Sequence, residues 1–278
     1  KDMAPIHPGP KDRQFYRNAE GLAEDVKYYG EWMREKAWER VGHLYPQVDL
    51  PQDLGGGKAT VIAWIWARTV PSPNPALTTL KTPLVRNFYL LDKEDRKVWV
   101  EPVANESKTD YRFEVRHGDG PARPPNIGRS GANCVVTGEA IPLSYIRQAA
   151  QSGKMGQRLM AVVVETSAGR NYISPTPEIE KIALDTDPVW RPETLIPLKH
   201  RNFQTPLYGM TRFGDVFTDR QLVALGAFVD TLKSLKDEVE SSLTDNVGVR
   251  NIDSYIRALR VYLSFSISKA LTRNCSLA

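Results

Sequence analysis

Cysteine is almost missing from this chain: its 278 residues contain two, Cys134 and Cys275. Two thiols make no disulfide framework, and they cannot supply the four thiolates of a structural zinc site. Histidine is equally scarce. His7, His43, His117 and His200 show none of the close spacings that metal ligands adopt, which leaves a mixed Cys/His site little to build on. Long apolar runs are absent too; the longest is "VIAWIWA", against the roughly 20 residues a membrane helix needs. No secretory leader pattern opens the chain, so the cytoplasm is the expected location and no membrane partner is expected. No single charge dominates either: the net value is +4, a balance that permits a polyanionic partner without demanding one.

Catalytic signatures are also lacking. There is no G-x-S-x-G, no H-E-x-x-H, no dinucleotide fingerprint and no D/N-P-P-Y/F/W. The run "LGGGK" at 54–58 is not a phosphate loop, because Ala59 follows the lysine where Ser or Thr is required and Pro51 stands near the first glycine position. It reads as a turn ahead of a strand.

What is present reads as helix, then strands, then helix. In "NAEGLAEDVKYYGEWMREKAWERVGHLYP", Leu22, Val26, Tyr29, Met33, Ala37 and Val41 recur at helical spacing. Glu24, Asp25, Glu31, Glu35, Lys36 and Glu39 fall mostly off that stripe, which predicts a solvated face. "ATVIAWIWART" lacks polar alternation and predicts a strand buried on both faces. "VRNFYLLD" and "RKVWVEPV" predict a hairpin, "DYRFEVRHG" a half-exposed strand, "GDGPARPPNIGRSGA" a loop, and 159–164 a second buried strand. A helix opens at Pro177, and a proline-punctuated linker follows from 185 to 206. Thr218 with Gln221 makes a capping box, ahead of a seam of Leu222, Leu225, Val229, Leu232, Val239 and Leu243. "TDNVGVRN" turns the chain into a returning helix carrying Ile252, Ile256, Leu259, Leu263 and Ile267.

One loop stands out chemically: "LYGMTRFGDVFTDRQ", 207–221. Glycines, aromatic residues and two arginines lie just before a helix N-terminus, and both arginines and helix N-termini suit phosphate. Tyr208, Thr211, Arg212 and Arg220 are therefore the DNA-binding candidates, with Arg212 foremost. The competing reading is an ordered loop whose arginines pair with Asp215 and Asp219. A second stretch, "TVPSPNPALTTLKTPLVRNFYL" at 69–90, has the strand–knuckle–strand shape of a zinc ribbon, yet Ser72 and Leu77 stand where thiolates would be.

Four segments, in order, resemble one family: "LAEDVKYYGEWMREKAWERVGHLYP", "ATVIAWIWARTV" with "TPLVRNFYL", "GKMGQRLMAVVVE", and "YGMTRFGDVFTDRQLVAL". Together they look like the large bacterial and archaeal adenine-specific DNA methylases that carry an inserted zinc ribbon. The resemblance implies ribbon cysteines at the positions of Ser72, Leu77, Cys134 and Thr137, of which only Cys134 remains. It thus implies a ribbon that keeps its fold without metal. It further implies that S-adenosylmethionine serves the complete enzyme, that its Gly-rich loop lies upstream of Lys1, and that the Asp/Asn-Pro-Pro-aromatic grip on the flipped adenine lies downstream of Ala278. No catalytic, cofactor-binding or metal residue is then expected within this chain, which alone would be inactive and bind DNA weakly. The expected partner is the remaining methyltransferase core or a complementary subunit. The alternative is a non-enzymatic nucleic-acid-binding or assembly module.

The expected fold is α+β: a long N-terminal helix, central β-strands with a ribbon-like β-hairpin insert, and a C-terminal antiparallel helical hairpin. The expected divisions are a connector and helix at 1–58, a β-rich region at 59–184, a linker and Arg/Gly loop at 185–217, and the hairpin at 218–278.

Overall fold

The computed structural model describes residues 3–167, 169–199, 203–243, 251–272 and 275. In chain order the elements are α1 (Glu20–Val41), β1 (Gln47–Asp49), β2 (Lys58–Pro71), β3 (Lys81–Leu84), β4 (Tyr89–Asp92), β5 (Lys97–Ala104), β6 (Tyr111–His117), β7 (Gly131–Asn133), β8 (Ala140–Pro142), α2 (Leu143–Gln151), β9 (Gly156–Thr166), β10 (Gly169–Ile173), α3 (Pro177–Leu184), α4 (Asp219–Ser242) and α5 (Ile252–Leu271). Helices and antiparallel strands are thus mixed, with five helices among the described residues. The chain forms two compact units. One comprises Lys1–Leu44, Thr186–Pro192 and Val216–Ala278; the other comprises Tyr45–Asp185 and Glu193–Asp215. Both chain ends therefore belong to one unit, and the segment read as a linker is divided between the two.

The helical unit is built from α1, α4 and α5. Tyr29 and Met33 of α1 share a core with Leu235 and Val239 of α4 and with Ile256, Leu259 and Leu263 of α5. α4 and α5 run antiparallel, tied by Lys236 to Asp253 at 2.9 Å and by the Arg260 guanidinium to the Lys233 carbonyl at 2.8 Å. The turn foreseen at "TDNVGVRN" spans 244–251, of which 244–250 lie outside the described residues. On α1 the buried positions are Gly21, Asp25, Tyr29, Met33, Ala37 and Val41, an unbroken i, i+4 row. That row corrects one expectation, since Asp25 is fully buried and not part of a solvated face.

Asp25 is buried because the N-terminal arm lies against α1. The Ile6 amide donates to both carboxylate oxygens (3.0 and 2.9 Å), the His7 amide to Oδ1 (2.8 Å), and the Tyr255 hydroxyl to Oδ2 (2.5 Å). Burial, reinforced by donation to this carboxylate, pushes the Tyr255 hydroxyl far above its ordinary range, so it remains a donor. Gly21 admits the arm: a Cβ there would stand 2.1 Å from the Met3 carbonyl oxygen.

His7 stacks on Tyr28 with ring centroids 4.5 Å apart. Burial, with Lys11 nearby, holds its imidazole below the ordinary 6.5, and Asp25 only partly opposes this. The folded state therefore favours the neutral ring. The stability this contributes is complete above 6.5 and is lost as pH falls through the lower folded value. Melting of the helical unit is expected to drop as pH falls from 6.5 through that lower value, and His7→Phe, which keeps the stack, is expected to flatten this part of the profile. A profile identical in both proteins would show that another group is responsible.

The second unit centres on a sheet ordered β1-β2-β9-β10, with β3 pairing the far end of β2. In β9, residues 159–164 are all buried: Met160 and Ala161 enter one core cluster, while Leu159, Val162 and Val164 enter another. This matches the apolar run read for that strand. β2 departs from expectation. It contributes to both core clusters, Ala67 and Val70 to one and Ala59 and Val61 to the other, but Ala63 is exposed and Ile62, Trp64, Ile65 and Trp66 are only half-buried, so its cover is incomplete. Register shifts at Val61/Ala63 and Ile65/Trp66 explain this, because a bulge turns successive side chains off a strict two-face pattern. A separate sheet, β4-β5-β6, shows the alternation read for β6: Tyr111 and Phe113 are buried, while Arg112 and Arg116 point outward and pair with Glu114.

Candidate functional site

Two tight turns meet at one edge of the sheet unit. The first joins β2 to β3. The Ser72 amide donates to the Leu80 carbonyl (2.8 Å), Ser72 Oγ accepts from the Asn74 amide (3.2 Å), and Asn74 Oδ1 caps the short 3-10 turn Pro75–Leu77 through the Ala76 amide (2.9 Å). Asn and Pro suit this shape because the amide side chain replaces a backbone acceptor and proline presets φ. The second turn joins β7 to β8. The Cys134 amide donates to the Glu139 carbonyl (2.8 Å), the Gly138 amide to the Cys134 carbonyl (2.9 Å), and the Thr137 amide to Cys134 Sγ (3.5 Å). Gly138 takes φ of 78°, the left-handed conformation such a turn needs. Asn74 Nδ2 links the turns, donating to the Glu139 carboxylate at 3.0 and 3.2 Å.

The four positions named by the resemblance are thus on two hydrogen-bonded turns, and each has other work. The Ser72 hydroxyl serves Asn74. Leu77 packs on the core that includes Leu80, Cys134 and Val135. The Thr137 hydroxyl contacts Glu139 at 3.3 Å. Burial pushes the Cys134 thiol up, but donors from Thr137 and the Val136 amide outweigh it and hold the thiol below its ordinary range. A lone sulphur, a hydrocarbon and two committed hydroxyls do not make a metal site. Among the described residues no group of three His, Cys, Asp or Glu side chains is placed to hold a metal ion.

The DNA-binding candidates separate on inspection. Tyr208, Thr211 and Arg212 belong to the sheet unit, and Arg220 to the helical one. Tyr208 is half-buried against the core, with the Arg147 guanidinium 5.8 Å from its ring centroid. Gly209 is a packing requirement: a Cβ there would lie 2.4 Å from the Ala150 carbonyl oxygen of α2. The Thr211 and Arg212 amides both donate to Asp215 Oδ2 (2.9 and 2.8 Å), so this aspartate caps the backbone of its own loop. Arg212 keeps an exposed guanidinium, which meets Glu193 at 2.9 Å. Arg220 is buried at 5% exposure and donates to the Leu44 carbonyl, a packing role. Asp219 is paired with Arg191. The capping box of Thr218 and Gln221 is formed, which occupies amides that the α4 N-terminus would otherwise offer to an anion.

Sequence reasoning missed Asp25, although its spacing of four from both Gly21 and Tyr29 already placed it on the buried row. Comparison of the chain with protein-family models, with curated proteins and with solved structures finds no match.

Proposed function

We propose that this chain supplies scaffold and DNA-recognition surface to an S-adenosylmethionine-dependent DNA adenine-N6 methyltransferase whose cofactor loop and base-gripping motif lie outside it. The observation that carries this reading is the pair of facing turns at Ser72–Leu77 and Cys134–Thr137, joined by Asn74 and Glu139. Two knuckle turns held together are the arrangement that a metal-bound ribbon would leave once hairpin pairing and packing had replaced its thiolates. The four ordered segments that resemble the methylase family point the same way.

On this reading the chain does no chemistry itself. It holds and orients duplex DNA so that a separate core reaches the adenine amino group, which such enzymes must take out of the stack. S-adenosylmethionine supplies the methyl group to that core.

Labelled methyl transfer to duplex DNA tests this, using the polypeptide or complex that contains the chain and the same assembly with 21–278 deleted. Deletion is expected to abolish transfer. Arg212→Ala is expected to weaken DNA binding at low salt while melting stays near wild type, because an exposed ion pair such as Arg212–Glu193 contributes only about 0–1 kcal/mol. Full transfer without the chain would refute the reading.

A further inference from the structure

We propose that Arg86, Arg123 and Arg129 form a preformed contact face for the phosphate backbone of duplex DNA. The contact chemistry stands on the arginines, and the choice of DNA rests on the methyltransferase reading above.

The face is held by a buried asparagine. Asn126 Oδ1 accepts from the Val85 amide (2.8 Å), and its Nδ2 donates to the Pro83 and Asn133 carbonyls (2.7 and 2.9 Å). Its own amide donates to the Val85 carbonyl (3.1 Å). One side chain thus clamps the loop between β6 and β7 onto the end of β3. The loop is pinned again where the Ala122 amide donates to the Tyr89 hydroxyl (3.1 Å), and Pro121, Pro124 and Pro125 restrict what lies between. The Gly128 amide closes the turn carrying Arg129 by donating to the Gly131 carbonyl (2.8 Å). Arg86 adjoins Val85, and Arg123 and Arg129 each lie three residues from Asn126, at most about 10 Å of extended chain.

The charge here is uncompensated. Among the described residues none of the three guanidiniums takes part in a hydrogen bond or ion pair. By contrast Arg112 and Arg116 share Glu114, Arg158 has Asp110 and Glu180, and Arg212 has Glu193. No Asp or Glu occurs within 83–91 or 120–138, and Asp92, Asp119 and Glu139, which border these stretches, form no ion pair with the three arginines. Arg86 and Arg129 are exposed and Arg123 is half-buried. Duplex DNA carries a charge about every 1.7 Å along its axis, so arginines on segments that Asn126 holds together have several phosphates within reach, each of which a guanidinium can grip with two bonds. A loop already clamped loses little freedom on binding. An acidic protein partner fits less well, because protein interfaces are anchored by apolar side chains. Of the large hydrophobic residues that are exposed, none lies between Trp38 and Ile182.

The test is fluorescence anisotropy of the purified chain with labelled duplex DNA across a salt series. Arg86→Ala/Arg123→Ala/Arg129→Ala is expected to reduce the slope of log affinity against log salt by about 2–3, since each phosphate contact contributes about 0.9. Arg17→Ala/Lys27→Ala/Arg34→Ala removes the same charge from exposed positions of the helical unit and is expected to leave the slope near wild type. Equal slope changes in both triples, or no binding by the wild type at low salt, would overturn the proposal. So would displacement of DNA by polyglutamate as effectively as by unlabelled DNA at equal charge. Should the first triple melt early, Arg86→Ala and Arg129→Ala carry the test singly, each expected to change the slope by about 0.9 and an unchanged slope in both counting against the face. Methyl transfer is read separately, so loss of the arginine face and loss of the methyltransferase reading are distinguishable.

Discussion

Asp25→Ala is expected to destabilise the helical unit by about 3–5 kcal/mol, because it leaves several buried donors without their acceptor. The carboxylate is fully buried and receives the Ile6 and His7 amides and the Tyr255 hydroxyl. Alanine would strand all three donors where water does not reach, at about 1–3 kcal/mol each before relaxation. Against a total stability of about 5–15 kcal/mol for an ordinary domain, that is a large fraction. Tyr255→Phe removes one donor and leaves the carboxylate its two amides, so a loss of about 1.5–3 kcal/mol is expected. Asp25→Asn keeps one acceptor oxygen but turns an NH2 group toward donors, and should fall between these. Calorimetry is the measurement of choice, because the transition of the helical unit should move while that of the sheet unit stays. An Asp25→Ala protein melting within a degree or two of wild type would mean that the arm simply releases and its donors find water.

The same residue shows where a sequence can be read and where it cannot. Apolar spacing placed α1, α4 and α5, because Tyr29, Met33, Ile256, Leu259 and Leu263 must leave water whatever their neighbours are. It assigned Asp25 to solvent because a carboxylate is ordinarily on the surface. What overrides that default is an arm 18 and 19 residues earlier in the chain, whose amides need an acceptor. Leu235 was overlooked on α4 and is fully buried, since a seam chosen from one face underestimates a helix packed between two others. β2 was legible as a strand and illegible in its burial, because bulges answer to the register of β9 and leave no mark in composition. At the 207–221 loop the residue types were visible but their partners were not. Glu193, which meets Arg212, lies 19 residues away, and the Leu44 carbonyl, which takes Arg220, lies 176 away. Arg86, Arg123 and Arg129 drew no attention in the sequence for the converse reason: an arginine without a partner looks the same in a string of letters as one with a partner.

On the methyltransferase reading, installing sulphur at positions 72, 77 and 137 is expected to create a zinc site across the two linked turns. In Ser72→Cys/Leu77→Cys/Thr137→Cys the added thiols join Cys134 on turns already connected through Asn74 and Glu139. The Cys134 sulphur already receives the Thr137 amide, the kind of donor that stabilises a thiolate, and its thiol already lies below the ordinary range. Leu77→Cys gives up some packing, and without metal the variant should be less stable than wild type by about 1–2 kcal/mol. Zinc should more than reverse this, since a four-thiolate site contributes about 10–16 kcal/mol of apparent binding energy near neutral pH. The natural chain, with Cys134 alone at these turns, is the control and should hold no stoichiometric zinc. One equivalent of cobalt giving the absorption of tetrahedral thiolate coordination, displaced by zinc with a rise in melting temperature, is the expected result. The order of substitution is informative as well. With Leu77 retained, three thiolates should bind more weakly and leave a position open to solvent, as three-ligand zinc sites do. If all four sulphurs are present and the protein still takes up no metal, the two turns do not converge on a tetrahedron. Their pairing through Asn74 and Glu139 would then stand as a hairpin contact in its own right, and the methyltransferase reading would lose the observation it leans on most.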